Sequence, residues 1–433
     1  MKAFPFLVAA MAALPAVAIA QGGQVTLRTG LVYAPDPMRT VAVLPVKGGP
    51  HADSLHEIVQ RDFVFSDRVS VLRLSAADNA LFYDRFRGVS YDYFSGLNAG
   101  YVLEMIASQG RMSIRVHDVS RRRVTSTADF TLAGTGLGRD WRMAVHSASD
   151  SAVAIITEGP RGIAATRIAY VRGQTIRIVD SDGANDVQIP ADSNATSPSW
   201  SPDGTRLTYN TYGTNARIIM TDLATGHDRV IQAKVRNSSP TTPIFSRDGN
   251  SILFARSDDD SKSRLYRVQL GGGDPVLIEE GRGISSSPTF SPDGRRIAFM
   301  TDRVGHNEVY IIDADGTNPV WITQIAGDLN ESSYRGEPDW SPDGVTVALQ
   351  SRLAGSFQIM TVNMRDNVAT RLTDAGENQS PSWAPDGRHI VFTSNRSGSE
   401  QLWIMDTRSA VTRQLTNQSG AKYGAWSPRS TVR

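Results

Sequence analysis

Near its C-terminal end the chain reads Trp383-Ala-Pro-Asp-Gly387, Ile390-Val-Phe392, Leu402-Trp-Ile-Met-Asp406 and Gln414-Leu-Thr416, short apolar runs separated by turn residues. The same succession recurs upstream behind an aromatic anchor at Trp200, Phe245, Phe290, Trp340, Trp383 and Trp426, spaced 43–50 residues apart. A repeat of about 40–50 residues made of four short strands is a propeller blade, a sheet that buries its faces only by stacking on its neighbours. Six anchors imply six blades. The expected fold is mainly β, a six-bladed β-propeller of WD40-like Ser-Pro-Asp-Gly repeats.

Each unit opens with Pro-x-aromatic, as in Pro198-Ser-Trp200 or Pro338-Asp-Trp340, followed by Ser-Pro-Asp-Gly, varied to Ser246-Arg-Asp-Gly249 and Ala384-Pro-Asp-Gly387. Proline presets φ at the second turn position, aspartate bonds nearby backbone and glycine accepts the positive φ that closes the bend. Strand two follows (Ile297-Ala-Phe299), then strand three (Val309-Tyr-Ile-Ile312), a second turn, and a fourth strand ending in Leu-Thr or a relative such as Ile322-Thr323.

The first unit is incomplete. Arg167-Ile-Ala-Tyr170, Ile176-Arg-Ile-Val179 and Val187-Gln-Ile189 match strands two, three and four, with no Pro-x-Trp before them. The missing strand stands at the other end of the chain, as Ala425-Trp-Ser-Pro428, so the last residues are expected to complete blade one and remove two open edges.

Upstream the periodicity is mixed. Thr40–Val46 reads as a buried strand, Ser54-Leu-His-Glu57 as a capping box opening a helix with Leu55, Ile58, Val59 and Phe63 on its apolar face, and Val69–Leu74 as a strand. Met112, Ile114 and Val116 alternate with polar residues, Ala128, Phe130 and Leu132 repeat the alternation, and Trp141 to Ile155 return to helical spacing, closed by Gly159-Pro160. The aromatics Phe82, Tyr83, Phe86, Tyr91, Tyr93 and Phe94 are expected to cover this small sheet rather than to stack nucleic acid. The expected organisation is a signal peptide over 1–20, a small α/β domain over 21–159 and the propeller over 160–433.

Residues 1–20 carry Lys2, an apolar run from Phe6 to Ile19 broken by Pro15, and Ala18 and Ala20 at signal-peptidase spacing, so cleavage is expected before Gln21. The run is short of the ~20 residues a bilayer span needs. The mature chain is expected to be soluble, with no membrane insertion, monomeric and periplasmic. The 433 residues hold no cysteine, which excludes disulfides, thiol nucleophiles and a lipidated cysteine. A net charge of +1 from 45 basic and 44 acidic residues offers no footprint for nucleic acid.

No catalytic constellation is visible. Gly-x-Ser-x-Gly is absent, so the hydrolase domain of a prolyl-oligopeptidase-type enzyme is not expected. Asp180-Ser-Asp-Gly-Ala-Asn185 and Asp313-Ala-Asp-Gly-Thr-Asn318 resemble the start of a calcium loop, with Asp258-Asp-Asp260 adding further acid. Ala191 or Gln324 stands where the bidentate glutamate would be, and hairpin turns account for both stretches. His51 and His56 are spaced five apart, wrong for one helical face. No metal, cofactor or enzymatic activity is expected.

An export signal, a small α/β domain and six Ser-Pro-Asp-Gly blades ending in Trp-Ser-Pro resemble the TolB family of the Tol-Pal system, most specifically at Thr166-Arg-Ile-Ala-Tyr-Val171, the Trp141–Gly159 helix and Tyr423-x-x-Trp-Ser-Pro428. The resemblance implies a protein-binding component linking the lipoprotein Pal to the inner-membrane Tol complex through TolA, in support of outer-membrane integrity and cell division. It places Pal on the face opposite the Ser-Pro-Asp-Gly turns, at the residues before each anchor: Ser239, Thr242, Ser286, Ser287, Glu337, Gln379 and Ser380. It assigns TolA binding to an extended N-terminal segment, matched by Gln24, Val25, Thr26, Leu27 and Arg28. The stretch Asn237–Thr242 lacks a histidine that the family pattern carries. Two alternatives stay open: a periplasmic propeller binding a small ligand or glycan, and a propeller enzyme with a channel-mouth site such as a lactonase.

Overall fold

The computed structural model describes residues 26–28, 38–85, 88–132, 137–191, 194–233, 238–257, 262–281, 283–324 and 334–429. The expected signal segment and its cleavage point, Gln24, Val25, Phe86, Asn237 and Asp258–Asp260 lie outside them.

The N-terminal domain is built on a five-stranded sheet, in spatial order Val69–Val71, Arg39–Val43, Tyr101–Ser108, Arg111–Asp118 and Arg123–Thr131, beside a two-stranded pair of Tyr83–Asp84 and Gly88–Val89. The first three run parallel and the last pairs antiparallel. Helices Ala52–Phe65 and Arg139–Thr157 cover one face, where Leu55, Ile58, Val59 and Phe63 meet Val41, Leu103 and Ile114. Phe82 and Phe94, with Tyr83 and Tyr93 partly buried beside them, cover the other face against Ala42, Leu44 and Val102, so these four aromatics pack as core.

Two local expectations are corrected. The first helix opens at Ala52 behind a left-handed His51 (φ 63°) with no side-chain cap. Leu55 N–H already donates to His51 O (2.9 Å), so Ser54 sits inside the first turn and its capping box does not form. The long helix is stopped not by Gly159 but by Glu158, which takes the left-handed conformation itself (φ 52°).

The linker that follows is clamped. The buried Asp150 carboxylate accepts the Ala164 and Ala165 N–H groups (2.8 and 3.0 Å). A Cβ at Gly162 would lie 2.4 Å from Asp150 Oδ1, so only glycine lets the chain pass. Burial pushes the Asp150 pKa up to about 6, against the two N–H donors that lower it.

Six sheets then form the propeller, and the ring closes as expected. Lys422–Trp426 pairs antiparallel with Arg167–Arg172, Ala425 opposite Ala169 and Trp426 opposite Ile168. The Trp426 indole N–H donates to Thr166 Oγ1 (2.8 Å) in the interior. In the Ser-Pro-Asp-Gly turns Gly204, Gly294 and Gly344 hold φ of 70–72°, and Ser201 and Thr205 donate to Asp203. Asn185 and Asn318 bond Asp180 and Asp313 across the second turns of blades one and four, so both acidic stretches are hairpin turns.

The Leu-Thr ending of strand four has a physical cause. Leu372 is buried, while the Thr373 hydroxyl accepts the Ile359 N–H (2.9 Å) and donates to Gln358 (2.8 Å). Thr416 accepts the Leu402 N–H in the same way (2.9 Å), satisfying a buried strand-three donor that the short outer strand leaves over.

The N-terminal domain sits on the Ser-Pro-Asp-Gly side, against blades six and one. Arg68 reaches Asp386 (3.2 Å), Arg388 donates to the Asp67 carbonyl (2.6 Å), and Arg142 reaches Asp182 (2.6 Å). All three contacts lie on the Ser-Pro-Asp-Gly side of the ring. Thr26–Arg28 extends blade five from outside, a parallel strand beside Val368–Arg371.

Candidate functional site

In every innermost strand the pairing register slips just before the anchor: between Thr196 and Ser199, Thr241 and Ile244, Ser286 and Thr289, Gly336 and Asp339, Gln379 and Ser382, and Lys422 and Ala425. Proline, which has no N–H, fills the slip in five blades, and Gly424 fills it in the sixth. The residue before it is left-handed: Ser197, Thr242, Ser287, Glu337, Ser380 and Tyr423 have φ between 46° and 56°. None is glycine, so each bulge holds a conformation that costs roughly 1–2 kcal/mol. Backbone strain repeated six times around one channel is a candidate functional feature.

The freed N–H groups stitch the blades together. Thr242 N–H donates to Asn210 Oδ1 (3.1 Å), Ser287 to Thr242 Oγ1 (3.2 Å), Ser380 to Gln350 Oε1 (3.1 Å) and Tyr423 to Thr393 Oγ1 (3.2 Å), each acceptor on the preceding blade. Ser380 Oγ also donates to Glu337 Oε2 (2.6 Å). Burial pushes the Glu337 carboxyl above its ordinary value of 4.5, and Ser380 opposes the shift. Tyr334 and Tyr423 are raised too, first by burial and then by the charge of Glu337.

The seven residues expected to face Pal divide accordingly. Thr242, Ser287, Glu337 and Ser380 share the bulge position, Ser286 and Gln379 precede it by one, and all six lie half-buried in innermost strands, not in the loops assigned to them. Ser239 alone stands before its strand, its N–H donating to Ser257 Oγ (3.0 Å). Ser197 and Tyr423 complete the ring; Ser197-Pro198 was legible as another Pro-x-aromatic unit, whereas Tyr423 lacks the proline. On this side a cavity of about 530 Å³ is lined by Gln174, Tyr212, Glu400, Lys422 and Tyr423. Such a rim of amides, hydroxyls, aromatics and both charge signs suits an irregular protein surface.

The other end of the channel differs. A cavity of about 340 Å³ is ringed by Pro202, Pro292, Pro342, Pro385 and Pro428, with Arg247 in the sixth place. Arg247 donates to the carbonyls of Phe290 (2.7 Å) and Ser291 (3.1 Å), and Asp339 accepts the Trp383 N–H (2.7 Å). Both side chains are engaged in holding neighbouring blades.

Of the segment assigned to TolA, Thr26, Leu27 and Arg28 form the strand on blade five, with Thr26 N–H donating to Asn367 O (3.0 Å). Among the described residues no cluster of His, Cys, Asp or Glu could hold a metal ion, and no helix is long and apolar enough to cross a membrane.

Known proteins show the same architecture. TolB of Acinetobacter baumannii superposes with a TM-score of 0.77 at 23% identity, covering 92% of this chain and 99% of that one, which establishes the shared fold. The Tol-Pal system protein TolB of Bordetella parapertussis is 30% identical over 275 residues, and that of Bordetella pertussis 28% identical over 276. The matches span 61% of this chain and about 60% of the length of these relatives. The family model described as the TolB beta propeller domain matches residues 155–430, from the end of the long helix through the strand that closes the ring, and the chain belongs to that family.

Proposed function

We propose that this chain is a non-enzymatic periplasmic component of a Tol-Pal system, binding Pal at the channel mouth opposite the Ser-Pro-Asp-Gly turns and TolA through its N-terminal segment, in support of outer-membrane integrity and division. The observation that carries the reading is the ring of six left-handed bulges at the mouth opposite the Ser-Pro-Asp-Gly turns. These positions hold hydroxyls, one carboxylate and one phenol at half-buried sites, where a protein loop entering the mouth would exchange water for directed hydrogen bonds. Thr26–Arg28 is already extended and strand-paired, the form in which a segment adds to another sheet edge. Capture by TolA requires its release from Val368–Arg371 or a strand added to its outer side.

Immobilised chain is expected to capture Pal, and Ser287→Tyr, which fills the mouth, to abolish capture while leaving the melting curve cooperative. Undiminished capture by a folded Ser287→Tyr variant would remove Pal from this mouth.

A further inference from the structure

Two exceptions to the repeat converge on one cavity. The second place of the Ser-Pro-Asp-Gly turn is proline except in blade three, where it is Arg247. The residue just before each anchor is Ser199, Ile244, Thr289, Asp339, Ser382 or Ala425, five neutral residues and one carboxylate. All of these line the cavity of about 340 Å³ at the Ser-Pro-Asp-Gly end of the channel. Arg247 and Asp339 attract each other across it, yet no ion pair joins them, or joins either to another described residue. Holding the Phe290 and Ser291 carbonyls leaves three of the five guanidinium N–H groups of Arg247. The Trp383 N–H and the Thr289 and Ser382 hydroxyls approach Asp339, short of the about four hydrogen bonds a carboxylate accepts. Arg247 is exposed and Asp339 half-buried, so solvent reaches both. The protein packed around them still shifts both: burial raises the Asp339 pKa against the Trp383 N–H and the charge of Arg247, and lowers that of Arg247 against Asp339 and Asp293. Each charge is therefore under-compensated, and an opposite charge brought into the cavity would relieve it. Arg429, on the same wall, donates instead to the Arg161 and Gly162 carbonyls, where Asp150 and Asp386 oppose its charge.

We propose that this end of the channel binds a compact zwitterion of the amino-acid or short-peptide class, its carboxylate on Arg247 and its ammonium on Asp339. The volume falls in the ~300–1,000 Å³ range of small-ligand sites. A guanidinium pairs with a carboxylate through charge-assisted hydrogen bonds, and a carboxylate takes an ammonium in the same way. A ligand with one charge would satisfy one wall and leave the other as it is, so the two walls together select a molecule carrying both. Pro202 and Pro292 add apolar surface for the rest of the ligand. The site rests on neither partner reading, since it lies at the end of the channel away from the ring of bulges.

The test uses the full chain, with alanine and glycylglycine as probes and with acetate and methylammonium, each bearing one of the two charges, as controls, read by titration calorimetry and thermal unfolding. At least one zwitterion is expected to bind saturably and raise the melting temperature, and each control to bind about ten-fold more weakly or worse. Tighter binding of alanine identifies a free amino acid, and tighter binding of glycylglycine a peptide. Asp339→Asn keeps an acceptor for the Trp383 N–H and is expected to bind the zwitterion no better than acetate. Arg247→Gln is expected to bind it no better than methylammonium, and the remote Arg121→Ser to bind as wild type does. Should either cavity variant lose its cooperative melting transition, the comparison of zwitterions with controls on the wild-type chain decides. No saturable binding of either zwitterion, a control that binds as tightly, or undiminished binding by a folded Asp339→Asn overturns the site.

Discussion

His389 and Asp67, more than three hundred residues apart, meet across the domain boundary with imidazole Nε2 3.1 Å from carboxylate Oδ2, while Nδ1 of the same ring lies 2.8 Å from Asp386. The seam repeats the device: His146 Nδ1 lies 2.8 Å from Asp62 and its Nε2 3.6 Å from Asp182 of blade one. Each ring is held between one carboxylate from either domain, an arrangement that favours the doubly protonated imidazolium.

A pH dependence follows. Burial lowers the pKa of both histidines, but Asp386 with Asp67, and Asp62 with Asp182, outweigh it despite the opposing charges of Arg413 and Arg142, and both end above 6.5. A raised folded-state pKa gives stability that is complete below about 6.5 and lost as pH rises through the folded value. Asp386 works in the opposite sense: burial raises it, His389 and Arg68 overcome this, and the net shift is downward, so its contribution is lost only in strong acid. Melting temperature is expected to fall above pH 6.5, and His389→Gln to flatten that slope; an unchanged slope in the variant would refute the bridge.

Trp426 carries the closure. It is 6% exposed and donates to Thr166. Trp426→Ala is expected to cost about 3–5 kcal/mol in urea unfolding, the usual loss for a large buried aromatic. A cost below about 1 kcal/mol would mean that the terminal strand does not lock the ring.

Glu337 costs stability when it ionises. Its pKa is raised by burial, so ionisation works against the fold as pH climbs above the ordinary 4.5. Glu337→Gln keeps an acceptor for Ser380 and removes the charge, so the variant should melt higher than wild type at pH 7 and bind Pal more weakly. Calorimetry with a paired binding assay decides this; a lower melting temperature counts against it.

The N-terminal strand contributes little to the fold, because Thr26–Arg28 pairs over three residues on an outer edge. Removing residues up to Arg28 is expected to shift the melting temperature by less than about 4 °C, the scale of ~1 kcal/mol in a chain of this size, and to abolish TolA capture. Retained capture would exclude the segment as the TolA site.

The legible part of the site followed from proline. Pro243, Pro288, Pro338 and Pro381 mark the bulges, but placing their neighbours in loops overlooked them: a proline inside a strand need not end it if the register slips around it. The helix caps misled for a related reason. A serine three residues before a glutamate, or a glycine after a helix, satisfies a local pattern that His51 and Glu158 pre-empted, three residues and one residue earlier.

Six blades, their turn chemistry and the strand that closes the ring were determined by sequence alone, because each depends on interactions within a few residues repeated at a fixed period. The seam was decided only by tertiary structure. Asp203, Asp293 and Asp343 bond the serine of their own turns, whereas Asp386, in the variant turn Ala384-Pro-Asp-Gly387, accepts the Arg388 N–H and also holds His389 and Arg68. The exchange of serine for Ala384 does not reveal which residues of the other domain Asp386 meets. A charge pairs with whatever the packing of two domains brings within a few ångströms, and that proximity is a property of the assembled chain.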